Sequence, residues 1–523
     1  MRSRARARSR LGKPYKGKTP IQRPRHPGGG RVVVVMPAKS RARSRQKDAH
    51  AEANRLLREN NVVWVQCQFV DINGRLRSYS VPAEDFIEGG VWDSGMSFDG
   101  SSVGFRRAED SDLLSRPDPE TLRVLPYGEG AHKIARVIVD IEHPRGRTPF
   151  AMDPRDVARR ADGLVRATGF DRIWVQPELE FYLLKSRETL AREQDVKRAI
   201  AGGLSVASDG APQSPSADPL LISDYSIEPK SGYFAAVPID VTDAFRNEFS
   251  YQLGLMGIPI KYHHHEGGGK QVEIEFKHLP SVMGAADAAV LYKFMSRIVA
   301  SRYGFVPTYM PKPLPQDAGN GMHIHQWIEH GGKAVFYDKD DEYGLSQTAR
   351  YYIGGVIDHA RAMTAVTNPT VNSYKRLVPE FEAPVYVAWS PRNRTALIRI
   401  PSPFRKKRTG DFEVRHPDPA ANPYLAFAVV VTAGLDGIRR KLDPGDPINE
   451  DVTKMSKRRM RELNVTRLPV TLDEALDAME SDDVVREALG DELFYAFIDM
   501  KAKELAEHSM QVSSWEIERY FDI

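Results

Sequence analysis

The stretch VQPELEFYLL, residues 175–184, reads as a β-strand that carries two carboxylates, Glu178 and Glu180, in largely apolar surroundings. Side chains alternate along a strand, so residues two apart share one face. Such a pair is not expected in a hydrophobic core, because burial of an unpaired charge costs free energy. The pair therefore indicates a polar function on one face of this strand.

Three more strand-like stretches repeat this spacing of two polar side chains. They are VEIEF with Glu273 and Glu275, GMHIHQW with His323 and His325, and FEVRHPDP with Glu413 and Arg415. Four such pairs predict a polar cavity that is lined by strands and built around metal ions. Suppose that six side chains converge: Glu178, Glu180, Glu266, Glu273, His323 and Glu413. Oxygen-dominated ligand sets of this kind suit Mg²⁺ or Mn²⁺. Five carboxylates leave too much negative charge for one ion, so two or more ions are expected.

The totals describe an ordinary multidomain globular protein. The 523 residues are 28% charged and 41% hydrophobic, which is enough for two or more domains and a large core. We find no window that approaches the roughly 18 to 20 apolar residues of a membrane span. The single cysteine, Cys67, excludes an intrachain disulfide and a thiolate cluster, which fits a reducing compartment such as the cytoplasm.

The positive charge of the chain is concentrated at its beginning. Residues 1–47 hold 16 Lys or Arg and no acid, so the rest carries 58 basic against 70 acidic residues, a net charge of −12. We expect residues 1–46 to be a disordered tail. Three interpretations stay open: contact with nucleic acid or another polyanion, which would not be the main function, a transit peptide, or a segment upstream of a true start at Met36.

The order of patterns predicts an α+β architecture. A helix over residues 47–60 precedes VVWVQCQFVDINGRLRSYSVP, which reads as two strands joined by a turn at Asn73-Gly74. More strands follow, and a proline-bearing segment near residues 143–154 marks a boundary. The pairs of polar side chains lie beyond it, where strands alternate with helices, and LAFAVVVTAGL reads as a buried helix.

Arginines near these strands add a phosphate-binding chemistry. They are Arg376, Arg394, Arg399 and Arg415. A planar guanidinium suits carboxylate and phosphate groups, and metal ions combined with arginines indicate phosphoryl transfer. The chain contains no G-x-x-x-x-G-K-[ST], which excludes the P-loop route.

The chain resembles the type I glutamine synthetase family from roughly residue 60 to its end. The matching runs are FDGSS with SD at 111–112, QPELEF, GYF (232–234), HHHEGGGKQVEIEF, GNGMHIHQ, NSYKRLVPEFEAP, RNRTALIRIP, and EVRHPDPAANPYLAF followed by AGLDGI. The resemblance implies an N-terminal β-grasp domain, here 47–146 with its leading helix, and a larger catalytic domain, 147–523, with a curved antiparallel sheet and helices. It also implies a cytoplasmic double-ring dodecamer with active sites between subunits.

The resemblance assigns a role to each matching position. One metal ion would be bound by Glu180, Glu266 and Glu273, and the other by Glu178, His323 and Glu413. The nucleotide phosphates of ATP would meet His325, Arg394 and Arg399, and the glutamate would meet Gly319, Arg376, Glu382 and Arg415. Asp99 of a neighbouring subunit would take a proton from ammonium, and Glu382 would lie on a flap that excludes water.

The implied reaction is ATP-dependent ligation of ammonia to the γ-carboxylate of L-glutamate through γ-glutamyl phosphate. Four positions depart from the family pattern, and three of them lie near substrate or nucleotide: Ala318 replaces an Asn, Trp327 replaces a small hydroxyl residue, Glu380 replaces a Gly on the flap, and Asp411 stands at an arginine position that Arg408 could serve. They leave two alternatives, a γ-glutamyl ligase for methylamine, ethanolamine or a polyamine, and a non-catalytic regulator. Thr453 lies where some members carry an adenylylated tyrosine, so that control is expected to be missing.

Overall fold

The computed structural model describes residues 38–106, 108–127, 132–186, 227–379, 383–391, 393–401, 409–463 and 465–523. The chain forms two compact units, Met1–Ala49 and His50–Ile523. The described part of the first unit is the beginning of helix α1, Ala38–Glu59. Apart from this helix, the elements described here belong to the second unit.

The beginning of helix α1 differs from the sequence prediction. The helix includes residues 38–46, which the sequence assigned to a disordered tail, while residues 1–37 lie outside the described residues. Residues 38–46 are AKSRARSRQ, and Ala, Arg, Lys and Gln are strong helix formers. High intrinsic propensity therefore extends the helix toward the N-terminus although the segment lacks an apolar face.

The N-terminal sheet of the second unit follows the helix. Its strands are β1 (Val62–Val70), β2 (Leu76–Pro82), β3 (Met96–Asp99), β4 (Asp112–Pro117), β5 (Arg123–Val124) and β6 (Lys133–Glu142). The order is β2-β1-β6-β4-β3, with β5 paired to β6, and β1 and β6 run parallel. Buried side chains such as Val65, Cys67, Val137 and Ile141 form the inner face, and short helices α2 (Ala83–Ile87) and α3 (Val91–Ser94) pack nearby.

The predicted turn between β1 and β2 is confirmed. This turn also contacts the larger domain. Gly74 has a φ of +80°, and a Cβ at this position would lie 3.1 Å from the Cα of Asn422. The Asn422 amide donates to the carbonyl of Asp71 at 3.0 Å, while its oxygen caps the following helix at Tyr424. A glycine is therefore required both for the backbone angle and for the close approach.

The second sheet carries the four pairs of polar side chains. Its strands are β7 (Arg172–Lys185), β8 (Ile260–His265), β9 (Gln271–Phe276), β10 (Phe305–Thr308), β11 (Met322–His330), β12 (Lys333–Ala334), β13 (Tyr386–Ser390), β14 (Ala396–Arg399), β15 (Phe412–Val414) and β16 (Thr466–Arg467). The order is β16-β13-β14-β15-β11-β7-β9-β8, with β10 on β7 and β12 on β11. Among the described strands of this second sheet, only β13 and β14 pair in parallel, so the sheet is predominantly antiparallel.

The larger domain also contains helices. They are α4 (Pro154–Ala167), α5 (Asp243–Leu255), α6 (Val282–Arg302), α7 (Gln347–Asp358), α8 (Ala360–Thr367), α9 (Ser373–Arg376), α10 (Pro423–Arg440), α11 (Lys457–Glu462), α12 (Leu472–Glu480), α13 (Asp483–Leu489), α14 (Asp491–Ser509) and α15 (Ser514–Tyr520). Helix α10 is buried from Pro423 to Gly437, which confirms the buried-helix prediction. In the described ranges, no helix has the length and apolarity that a bilayer span requires. The predicted α+β class, a β-grasp domain followed by a larger domain with a curved sheet, is confirmed.

One guanidinium joins the N-terminal sheet to the helices of the larger domain. Arg155, at the start of α4, is 3% exposed and contacts Asp118, Asp140 and Asp287 at 2.8, 2.6 and 2.9 Å. Asp140 belongs to β6, whereas Asp287 belongs to α6 and also accepts a hydrogen bond from Tyr424. Burial lowers the pKa of Arg155, but the three carboxylates outweigh burial and raise it well above its usual value.

A buried histidine joins three helices elsewhere in the larger domain. His359 lies between α7 and α8, with Nδ1 at 2.7 Å from Asp482 and Nε2 at 3.0 Å from Asp436. Asp436 belongs to α10, and Asp482 caps α13. Burial lowers the pKa of His359, but the hydrogen bonds to Asp482 and Asp436 outweigh it, so that the net pKa is raised.

We expect His359→Gln to destabilise the protein in a pH-dependent way. Because the folded pKa is raised, the imidazolium contributes its full stability below the unfolded pKa of about 6.5 and loses it as the pH rises through the folded value. The cost is expected to be about 2 kcal/mol at pH 6, typical of hydrogen bonds to charged groups, and smaller at pH 9. Urea-induced unfolding at several pH values measures it, with the exposed His330→Gln as control. A cost that stays constant with pH would contradict this assignment.

Candidate active site

All eight side chains of the four sequence pairs line one cavity of about 330 Å³. Strand register brings them together, because His323 lies opposite Glu178, and Glu180 lies opposite Glu273. On the other side of β11, His325 is paired with Glu413 of β15. The remaining lining includes Lys230, Tyr233, Tyr262, His264, Glu266, Gly267, Gln271, Ala318, Gly319, Arg376, Ala383, Arg394 and Arg399.

Three groups of cavity residues have ligand atoms close enough to hold a cation. Within each group these atoms lie within 4.8 Å of one another, and the groups are Glu178 with His325 and Glu413, His264 with Glu266 and Glu273, and Glu178 with Glu273 and Glu275. Their donors are carboxylates and imidazoles, which suit divalent cations. Glu273 Oε1 is buried and has no hydrogen-bond partner within the described part of the chain. The cavity therefore fits metal ions.

These groups differ in part from the ligand sets that the resemblance implies. His323 is near both implied sets, at 3.2 Å from Glu413, 3.6 Å from Glu178 and 3.8 Å from Glu180. Sequence reasoning did not single out His264, whose Nε2 lies 3.2 Å from Glu273. The run of three histidines before Glu266 was the available signal, but the face of His264 depends on the register of β8 against β9.

Burial and neighbouring charges shift the pKa values of the carboxyl groups that line the cavity. Burial, followed by the charges of Glu178, Glu275 and Glu266, raises the pKa of Glu273 well above its usual value. Burial and the charge of Glu178 raise the pKa of Glu275 to about 7. Burial raises the pKa of Glu413, but the charges of Arg415 and the nearby histidines outweigh burial and lower that pKa to about 2. Bound divalent cations would favour the ionised form of all these carboxyl groups.

Arginines line the cavity beside the carboxylates. Arg376 is 2% exposed and donates to the carbonyls of His416 and Arg415 at 2.7 and 3.3 Å. Arg399 donates to Glu413 at 3.0 Å, and Arg415 donates to the same carboxylate. The Nε of Arg415 is buried and has no hydrogen-bond partner among the residues described, so one donor of this buried guanidinium is available to an anion.

The loop before β11 approaches Arg376 closely. A Cβ at Gly319 would lie 2.7 Å from the Cγ of Arg376 and 2.8 Å from the carbonyl of Pro311. Its own carbonyl accepts from Gln271, which also donates to Glu180 at 2.9 Å. Sequence reasoning missed Gln271, since a lone amide two residues before Glu273 carries no signal until the strands are paired.

Neither the residue assigned to ammonium nor the residue assigned to the flap is among the described residues that line the cavity. Asp99 is exposed at the end of β3 and is not among the residues that line the cavity of its own chain. Hydrogen bonds from the hydroxyls of Ser102 and Ser101 lower its pKa to about 2. The carboxylate therefore stays ionised at neutral pH, as a cation-binding group must. Glu382, together with Glu380, lies outside the described residues.

The other departures have distinct surroundings. Ala318 lines the cavity, and its carbonyl accepts from Tyr182 at 2.8 Å. Trp327 stacks on Trp174 across the strands, with ring centroids 5.3 Å apart and planes 5° apart. Asp411 lies 3.5 Å from Nδ1 of His325. Arg408 and the side chain of Thr453 lie outside the described residues.

Comparisons with known proteins agree over most of the chain. Residues 61–144 match the profile of the glutamine synthetase β-Grasp domain, and residues 151–520 match that of the glutamine synthetase catalytic domain. The glutamine synthetase of Archaeoglobus fulgidus is 43% identical over 90% of this chain and 97% of its own length. That of Thermotoga maritima is 39% identical over 89% of this chain and 98% of its own.

Solved structures show the same fold. The structure described as a GmaS/ADP complex superposes with a TM-score of 0.74 at 29% identity, covering 90% of this chain and 99% of that one. The cryoEM structure of Plasmodium falciparum glutamine synthetase gives a TM-score of 0.75 at 24% identity, covering 90% and 98%. At that identity, the second likeness supports the fold alone.

Proposed function

We propose that the cavity between β7, β9, β11 and β15 is the catalytic centre of this chain, which belongs to the glutamine synthetase family and catalyses the ATP-dependent synthesis of glutamine. The observation that carries this proposal is the convergence of carboxylates from separate strands, together with arginines, on one cavity. A carboxylate cluster alone would repel glutamate and ATP. The arginines beside the carboxylates give both substrates a complementary charge.

Two divalent ions, Mg²⁺ or Mn²⁺, fit the chemistry of the carboxylate side. Glu180, Glu266 and Glu273 would hold one ion, which the orphaned Oε1 of Glu273 supports. Glu178, His323 and Glu413 would hold the other, since Nδ1 of His323 lies 3.6 Å from Glu178 and 3.2 Å from Glu413. When bound, such ions neutralise phosphate oxygens and stabilise the charge that develops during phosphoryl transfer.

The protein side chains orient the two substrates for successive displacements. Arg376 and Arg415, next to Gly319, would bind the carboxylates of glutamate, and the available Nε of Arg415 supports this role. His325, Arg394 and Arg399 would bind the nucleotide phosphates. The γ-carboxylate oxygen of glutamate then attacks the terminal phosphorus and ADP leaves. Ammonia attacks the carbonyl carbon of the acyl phosphate, and phosphate leaves.

The position of Asp99 supports an active site that is completed by a second subunit. In its own chain Asp99 is exposed and not in the cavity lining, whereas the proposed role requires a carboxylate beside the acyl phosphate. A neighbouring subunit in a closed ring can supply it, and a dodecamer of two rings is our proposal for the assembly. Asp99 would bind ammonium and accept its proton, Glu382 would close the site against water, and the enzyme would work in the cytoplasm.

The amine substrate is tested by phosphate release from ATP in the presence of Mg²⁺ and glutamate. We compare ammonium with methylamine, ethanolamine and a polyamine, and identify each product by mass. The expected result is strong dependence on ammonium with glutamine as product, and a KM for ammonium that Asp99→Asn raises at least about 10-fold, as loss of a charged partner does. A strong response to one larger amine with little response to ammonium would contradict the assignment. Ala318→Asn would then be the first variant to test for a change in amine specificity.

A further inference from the structure

Glu275 is the buried carboxylate that the proposed two-ion arrangement does not use. It shares a face of β9 with Glu273 and is 2% exposed. Its Oε2 accepts from the Gln176 side-chain amide at 3.0 Å and from the ammonium of Lys261. A buried carboxylate is costly unless it is paired, so these two donors account for its presence.

Lys261 of β8 lies beside Glu275, next to the residues that line the cavity. Its side chain is 26% exposed, and its Nζ lies 3.8 Å from Oε1 of Glu178 and 5.0 Å from the centre of the Tyr262 ring. The Gln176 amide is also 3.5 Å from that oxygen of Glu178. One ammonium and one amide therefore connect Glu275 to a proposed metal ligand.

The position of Lys261 coincides with a group of carboxylates that could otherwise hold a metal ion. Ligand oxygens of Glu178, Glu273 and Glu275 lie within 4.8 Å of one another. An ammonium beside two of these three carboxylates disfavours binding of a divalent ion there. The ammonium supplies positive charge, offers no lone pair and fills space.

We propose that Lys261 is a fixed internal cation that occupies this third carboxylate group, limits the resting site to two divalent ions, and holds Glu178 in place for one of them. This inference rests on the two-ion arrangement proposed above. The contacts agree with it: Nζ of Lys261 pairs with Glu275 and lies 3.8 Å from Glu178, which are two of the three carboxylates in this group.

The test is the number of Mn²⁺ ions bound per chain by the full-length protein without nucleotide. Equilibrium dialysis with elemental analysis should give two ions for the wild type and three for Lys261→Met, which keeps much of the side-chain length but removes the charge. Lys261→Arg should keep two. Lys261→Met combined with Glu275→Gln should return to two, because the third ion then lacks one of its carboxylates. A purely structural role for Lys261 predicts no change in this number.

The outcomes separate this inference from the two-ion proposal. Two ions in Lys261→Met, or three in the wild type, would overturn the role of Lys261 and leave the catalytic centre in place. Fewer than two ions in the wild type would overturn both. If Lys261→Met does not fold, the single variant Glu275→Gln tests the inference. In that variant Lys261 would pair with Glu178 and weaken Mn²⁺ binding at one of the two sites about 10-fold, comparable to the effect of other outer-shell partners. Unchanged affinity at both sites would overturn the inference.

Discussion

Glu178→Gln is expected to lower kcat by about 1000-fold, which corresponds to about 4 kcal/mol in the activation barrier. Glu178 lies at the centre of the cavity, 2.9 Å from Nε2 of His325 and 3.6 Å from His323. Burial raises the pKa of its carboxyl group, but the charge of His325 and the hydrogen bonds from the histidines outweigh burial and lower that pKa well below the usual value. Glutamine keeps the shape and loses the charge, so an ion that neutralises phosphate oxygens is held poorly.

The measurement is the rate of ammonium-dependent phosphate release at saturating substrates over a range of Mg²⁺ concentrations. Glu480→Gln makes the same chemical change at an exposed site and should leave kcat unchanged within about twofold, as surface substitutions usually do. A folded Glu178→Gln variant that retains more than a tenth of wild-type kcat at ordinary Mg²⁺ concentration would show that Glu178 is not a ligand.

The alternation of side chains along each strand predicted which residues reach the cavity. It could not predict which residues of different strands contact one another there. Glu273 and Glu275 share a face in any strand, and the structure places both in the cavity. Their partners depend on pairing: β8 and β7 flank β9 and bring Lys261 and Gln176 to Glu275. Strand order and register are long-range properties, so a local pattern leaves them open.

The same limit applies outside the site. The turn at Asn73-Gly74 could be predicted because its signal is local, whereas its contact with Asn422 joins segments about 350 residues apart. His359 gives no sequence signal, since it becomes a charged link only when Asp436 and Asp482 approach it. The resemblance supplied roles for the arginines, but it could not supply the stacking of Trp327, which departs from the family pattern.

Arg155→Met is expected to cost about 3–5 kcal/mol in the free energy of unfolding, the range for removing one partner of a buried ion pair. The guanidinium makes a forked contact with Asp287 at 3.1 and 2.9 Å and also reaches Asp140 and Asp118. Its removal takes the arginine contact away from Asp118 and Asp287, while Asp140 still contacts Arg159 at 2.5 Å. Methionine fills much of the volume, so the loss reflects charge and hydrogen bonds more than packing.

Urea-induced unfolding at a fixed protein concentration, followed by tryptophan fluorescence, measures this loss, because oligomer stability depends on concentration. Arg166→Met on the exposed face of the same helix should change the free energy by no more than about 0.5 kcal/mol. Arg155→Lys should recover less than half of the loss, since one ammonium cannot reproduce a fork that contacts carboxylates from three segments. A loss below about 1 kcal/mol in Arg155→Met would mean that apolar packing, and not this ionic junction, joins the N-terminal sheet to the helices.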